Sequence, residues 1–225
     1  MTPGSPIHRT RSWSSSRDGR REDGSDGAAA APPDGFRTVY LGPWRVDVTV
    51  RPDAPRLIPV APLARSVARA LDAAGAPKPA SVGLVLTDDA ELAALNARHM
   101  GKSGPTDVLS FPILAAASFP PHPGAPRRAA RDAAFPLPPG IRQPLGDIVV
   151  SVERAIDQAD AGRGGQTGDV RWSSADELRL LVTHGTLHLC GWDHAEPQEE
   201  AAMRALEQRL LAASPASRRT RAAPG

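Results

Sequence analysis

The sequence predicts an α/β (α+β) fold, with about four strands in a mixed sheet and five or so helices. Three observations carry the prediction. Short runs of alternating β-branched and polar residues recur along the chain, segments with apolar residues at helical spacing stand between them, and capping residues or glycines bound those segments. Strands interleaved with helices in this way build a layered domain, and the residues that carry chemistry fall on a late helix.

Residues 45–50, RVDVTV, alternate apolar and polar and read as a half-buried strand. Leu63, Val67, Ala70, Leu71 and Ala74 then stand at helical spacing over 61–74, and Gly75 with Pro77 stops that helix. SVGLVLT, residues 81–87, is a second strand, after which Thr87 or Asp88 can cap a helix over 89–100 with Leu92, Ala94 and Leu95 facing the core. In PTDVLSFP, residues 105–112, Pro105 and Thr106 turn the chain into a short strand that Pro112 ends. LGDIVVS, residues 145–151, is a fourth strand, and Ser151 can cap a helix to about Ala161. Beyond the Gly-rich stretch 162–170, read as flexible, Ser173 or Ser174 with Glu177 resembles a capping box opening the helix that carries DELRLLVTHGTLHLCG. A last helix over about 196–213 presents Met203, Leu206, Leu210 and Leu211.

Composition sets the limits of this domain. The 20 Gly and 24 Pro are concentrated in 1–36, 115–144 and 214–225, which are poor core formers. The expected organisation is therefore a disordered extension over 1–36, a folded domain over 37–213 interrupted by a Pro/Ala-rich surface loop at 115–144, and a disordered tail over 214–225. The N-terminal stretch has no apolar core of a secretory signal, and its five acidic residues argue against a transit peptide. The single cysteine, Cys190, excludes an intrachain disulfide and suits a reducing compartment. No run approaches the roughly 18 apolar residues of a membrane span.

The formal net charge of +2 is unevenly spread: residues 145–213 hold 6 basic against 12 acidic residues. A nucleic-acid-binding chain is expected to show a basic patch. Such a patch must come from the first half, the tail, or the 115–144 insert with its Arg127, Arg128 and Arg131.

The strongest motif lies at 184–194, HGTLHLCGWDH. His184 and His188, four apart on one helical face, can reach one ion together. Gly191 stands where a helix ends in the left-handed conformation, and the reversed chain can return His194 to the same point. Three nitrogens with a fourth position open is the pattern of a catalytic zinc site, at which the pKa of bound water falls to about 7; structural sites are closed by four ligands. Paired histidines can also be ordinary polar residues of a helix face, but the third histidine and the placed glycine favour metal ligation. The spacing matches the long metzincin protease motif except that Gly185 occupies the place of the general-base Glu. Cys190 reads as a small buried hydrophobe and Trp192 as packing. Asp193 can orient a ligand imidazole or cap the turn.

Three segments in order, PTDVLSF at 105–111, LGDIVVS at 145–151 and HGTLHLCGWDH at 184–194, resemble those of the YbeY family of bacterial ribosomal RNA maturation factors, also described as endoribonucleases. The likeness covers roughly residues 40–212 outside the insert. It implies a single domain related to zinc proteases, one zinc per chain on His184, His188 and His194, and cleavage of single-stranded RNA. It also implies maturation of the small-subunit ribosomal RNA 3′ end, ribosome quality control, a cytoplasmic location, and contacts with the small ribosomal subunit, ribosomal proteins or an assembly GTPase, without a membrane. At the family's usual arginine this chain has Met100, with Arg98 and Lys102 nearby as weak candidates for phosphate contact or surface residues. Two other readings remain open: a zinc hydrolase of peptide or amide bonds, and an assembly factor whose zinc is structural.

Overall fold

The computed structural model describes residues 35–104, 106–125, 138, 140–162 and 172–213. Five strands form one mixed sheet: β1 (Phe36–Leu41), β2 (Trp44–Val50), β3 (Ala80–Thr87), β4 (Val108–Pro112) and β5 (Gln143–Ser151). Their order is β1-β2-β3-β5-β4. β2, β3 and β5 run parallel, while β1 and β4 close the two edges antiparallel. The helices are α1 (Val60–Ala73), α2 (Asp89–Met100), α3 (Val152–Asp160), α4 (Ser174–Leu189) and α5 (Pro197–Ala212).

The fold class is as the sequence predicts, with one strand more. β1 was not anticipated, and its first residue, Phe36, falls in the stretch assigned to the extension. Leu41 pairs with Trp44, so β1 and β2 form a hairpin closed by Gly42 and Pro43. Gly42 takes a positive φ of 60° at the first central position of this turn, which suits a residue without Cβ.

One face of the sheet buries Val46, Val48, Leu84, Ile148 and Val150 under α1 and α4. The opposite face is covered at the β5-β4 end by α2, through a smaller cluster of Leu92, Leu109 and Val149. Asp88, not Thr87, caps α2, its carboxylate accepting the Glu91 N–H at 2.8 Å. Ala94, expected inside, is exposed; Asn96 is buried in its place and donates to the Gly104 carbonyl at 2.9 Å. The helix leans on the sheet by one side only, so its inward stripe is narrower than its apolar content suggests.

Ser151 caps α3 as expected, accepting from the Arg154 N–H. The capping box of α4 pairs Ser173 with Asp176 rather than Glu177. In α5, Met203 and Leu206 are buried while Leu210 and Leu211 are half-buried. The described start of the insert, 115–125, lies mostly on the surface, as expected of a loop, but it is anchored: it forms a short 3-10 turn at Ala116–Ser118 and buries Phe119, 7% exposed. Long-range contacts with Gly191, Trp192 and the start of α5, not local periodicity, hold it there. Arg127, Arg128 and Arg131, the Gly-rich stretch after Gly162, Pro105, and both terminal segments lie outside the described residues.

Candidate metal centre

Helix α4 crosses β4 and β5 closely because Gly185 faces the sheet. A Cβ at this position would stand 2.7 Å from Ile148 Cγ2 and 2.8 Å from Val108 Cγ2. The Gly185 carbonyl also accepts from Ser110 Oγ on β4 at 2.8 Å. The position that carries the general base in metzincins is thus filled by the sheet, and His184 and His188, about 60–100° further round the helix, line the cleft beside β4.

α4 ends in a Schellman turn. The Trp192 N–H donates to the Leu187 carbonyl at 3.1 Å and the Gly191 N–H to the His188 carbonyl at 2.9 Å. Gly191 has φ 82°, the left-handed conformation expected of it. This turn places the Trp192 carbonyl 2.9 Å from His188 Nδ1 and swings His194 back toward the two helical histidines. The ring centroids stand 4.5 Å apart for His184 and His188, 5.7 Å for His184 and His194, and 5.1 Å for His188 and His194.

The tautomers follow from these partners. His188 Nδ1–H donates to the Trp192 carbonyl, and His184 Nδ1–H to Glu207 Oε1 of α5 at 2.7 Å. Both rings therefore turn Nε2 inward with a free lone pair, and the two Nε2 atoms lie 2.9 Å apart. Burial first, and then the neighbouring His184 and His194, lower the His188 pKa to about 4. The imidazole is neutral at pH 7, as a ligand must be. One ligand atom from each of the three histidines falls within 4.8 Å of the others. Tetrahedral zinc with bonds of about 2.0–2.1 Å separates its ligand nitrogens by about 3.3 Å. The triad fits a metal ion with small side-chain adjustments.

Two clefts meet at the triad. One, of about 820 Å³, runs past Lys102, Ser103, Thr106 and Ser110 along the edge strand β4. The other, of about 370 Å³, is lined by Asp107, Glu177, Arg204 and Glu207. Lys102 follows Gly101, which ends α2 with φ 63°. That break brings Lys102 and Met100 to the larger cleft, whereas Arg98 is exposed on α2 and does not line it. Asp193 caps the turn, accepting the His194 N–H at 2.8 Å. Cys190 is buried, as expected, and burial pushes its thiol up to about 12.

Several members of the site were not found in the sequence. Glu207 is a polar residue on the apolar stripe of α5, which was the available signal; its carboxylate is nearly buried against His184. Glu177 lies two turns before His184 on the same helical face. It is 2% exposed and accepts from Trp172 Nε1. Its pKa is raised by burial, opposed by the Trp172 N–H and supported by nearby Asp107.

Residues 58–214 match the family model described as endoribonuclease YbeY. The chain belongs to this family. Three curated relatives, each described as endoribonuclease YbeY, illustrate the likeness. That of Salinispora tropica is 45% identical over 149 residues, 65% of this chain and 83% of the relative. That of Thermobifida fusca is 41% identical over 150 residues, 67% of this chain and 82% of the relative. That of a Roseiflexus species is 37% identical over 174 residues, 77% of this chain and 94% of the relative. Among the described residues, no helix is long and apolar enough to cross a membrane.

Proposed function

We propose that this chain is a zinc-dependent endoribonuclease that cuts single-stranded RNA and acts in small-subunit ribosomal RNA 3′-end maturation and ribosome quality control. It would hold one zinc per chain on His184, His188 and His194. The small ribosomal subunit, with ribosomal proteins or an assembly GTPase, is the corresponding set of partners, and the cytoplasm the corresponding place. Family membership supports the RNA substrate. The observation that carries the metal assignment is the pair of anchored Nδ1 atoms, which point two imidazole Nε2 lone pairs at one spot where two clefts meet. A divalent ion there supplies Lewis-acid activation of water and charge stabilisation at a phosphodiester.

The chain's own residues supply the rest. The Trp192 carbonyl and Glu207 orient the ligands, and the cleft along β4 accepts the extended strand. Lys102 on its lip offers the cation that Met100 cannot, and Arg98 stands too far round α2 to share the task. The sheet beneath Gly185 leaves no room for the metzincin base, which favours RNA over peptide as substrate. Opening of the triad onto two clefts favours catalysis over a zinc held purely as a structural pin.

The test uses a single-stranded ribosomal RNA segment and assembled small subunits. Chelation should abolish cleavage, zinc should restore it, and His188→Ala should both lose metal and stop cutting. Rising salt should weaken RNA binding as phosphate contacts release counterions. Zinc-loaded protein that leaves both substrates intact would move the assignment to the assembly-factor reading, and undiminished cutting by His188→Ala would remove the triad from the chemistry.

A further inference from the structure

The start of the insert, residues 115–125, runs across the turn that bears the third histidine. At one end the chain touches Gly191 so closely that a Cβ there would lie 2.5 Å from Ala116 Cβ. Further on, Pro120 packs on Gly75 at the end of α1, where an added Cβ would meet Pro120 Cγ at 2.8 Å. At the other end Gly124 lies against the start of α5, where a Cβ would strike the Glu199 N at 2.4 Å. Between these anchors His122 stacks flat on the Trp192 indole, centroids 4.0 Å apart and planes 10° from parallel. Its Nε2 is 3.3 Å from the Gly191 carbonyl and 3.5 Å from Glu199 Oε1. Glu199 Oε1 in turn accepts the Asp193 N–H at 3.2 Å. The His122 side chain is 7% exposed, and its Nδ1 has no hydrogen-bond partner.

Every one of these contacts but that of Pro120 falls on residues 191–193 or on Glu199, the residue that holds Asp193. Those residues form the turn whose Trp192 carbonyl orients His188 and whose next residue is His194. Burying a histidine with one nitrogen unsatisfied costs free energy. A surface loop retained only for covering the core would do better with an apolar ring. We propose that residues 115–125 are a strap that positions the metal site, and that His122 is its positioning residue, clamping Trp192 and Gly191 so that the His188 acceptor and the His194 ligand stay in place. This rests on the reading of the triad as a metal centre.

His122 touches neither the ligand atoms nor the clefts, so its effect passes through the turn. Removal of the groups that orient metal ligands typically lowers metal affinity about 10- to 100-fold. His122→Ala should therefore speed zinc release from the full-length, zinc-loaded chain into a chromogenic chelator about tenfold or more. His122→Gln, which keeps an N–H donor for Gly191 and part of the stack, should recover most of the slow release. With cobalt in place of zinc, the d–d absorption bands of His122→Ala should shift, reporting altered ligand geometry that a loss of packing elsewhere would not produce. Should His122→Ala fail to fold, His122→Phe keeps the stack without the donor and should still release zinc faster than wild type.

Release rates within twofold of wild type for the folded variants, with unchanged cobalt spectra, would overturn the strap while leaving the metal centre intact. Equal rates for His122→Gln and His122→Ala would overturn His122 as the positioning residue. A wild-type chain that takes up no zinc would overturn both proposals.

Discussion

Alanine at position 185 sets two known effects against each other. In a helix interior, Gly→Ala alone gains about 1 kcal/mol from propensity. The new Cβ, however, would stand 2.7 Å from Ile148 Cγ2, 2.8 Å from Val108 Cγ2 and 3.3 Å from Ser110 Oγ. The two methyl groups belong to β-branched side chains, stiff at χ1, on strands that cannot step aside independently. Overpacking of this kind costs about 1–3 kcal/mol, and stiff neighbours place this case at about 2–3 kcal/mol. Subtracting the propensity gain leaves a net loss of about 1–2 kcal/mol. At about 2–4 °C per kcal/mol for a chain of this size, Tm should fall by roughly 2–8 °C. Thermal unfolding followed by circular dichroism, with chelator present so that metal binding adds nothing, measures this directly. An unchanged or raised Tm for Gly185→Ala would refute the close approach of α4 to β4 and β5. Gly185→Glu carries the same clash with a longer side chain and should yield no peptidase.

Glu207→Ala should weaken zinc binding about 10- to 100-fold in competition with a chelator, because His184 loses the acceptor that fixes its tautomer, while Glu207→Gln retains an acceptor and should lose less; equal affinity for Glu207→Ala and wild type would contradict this role. Glu177→Gln should stabilise the protein at neutral pH. Burial raises the Glu177 pKa in the folded state, so its contribution is fully present below the unfolded value of about 4.3 and is lost as pH rises through the folded value. The Tm advantage of the glutamine variant should thus be small near pH 4 and grow toward pH 7, and a gap independent of pH would show that the carboxyl is not desolvated.

What the sequence reveals and what it hides divide along contact range. The bounds of α1, α2, β3 and α3 follow from apolar spacing and from caps at Asp88 and Ser151, all of which act within a few residues. The two helical histidines and Gly191 are equally local: spacing of four and a positive φ bring the metal face and its returning turn together. β1 escaped although Phe36, Thr38, Val39 and Tyr40 are strand formers and the Gly42-Pro43 turn follows, because its apolar residues do not alternate cleanly and the stretch before it is rich in Gly, Pro and Ala. Glu207 lies 23 residues from His184 and His122 69 residues from Gly191. Neither pairing leaves a periodic trace; each exists only once α5 and the strap have docked.

The charge balance of the histidine-bearing half shows how a sum can mislead where its parts do not. Twelve acidic against six basic residues over 145–213 look hostile to a polyanion. The structure gives many of those carboxylates a partner. Asp176 closes the cap of α4, Glu207 holds His184, Glu199 accepts the Asp193 N–H, and Glu200 pairs with Arg204 at 2.6 Å. Glu199 and Glu200 also occupy the first turn of α5, where the helix dipole favours anions. The triad sits at the opposite pole of a helix, the carboxyl end of α4, where the dipole favours a cation. A divalent ion held by the three imidazoles would bring two positive charges to a site where Glu207, against His184, and Asp193, beside His188, are the nearest carboxylates. Exposed charges are screened over about 8 Å at physiological salt, so a phosphate bound at the triad would respond to such an ion and to Lys102 at the lip of the larger cleft more than to the segment's net charge. The acidity of the segment is therefore in large part taken up by helix caps, ion pairs and the partner of His184, and the net count alone does not argue against the proposed RNA substrate.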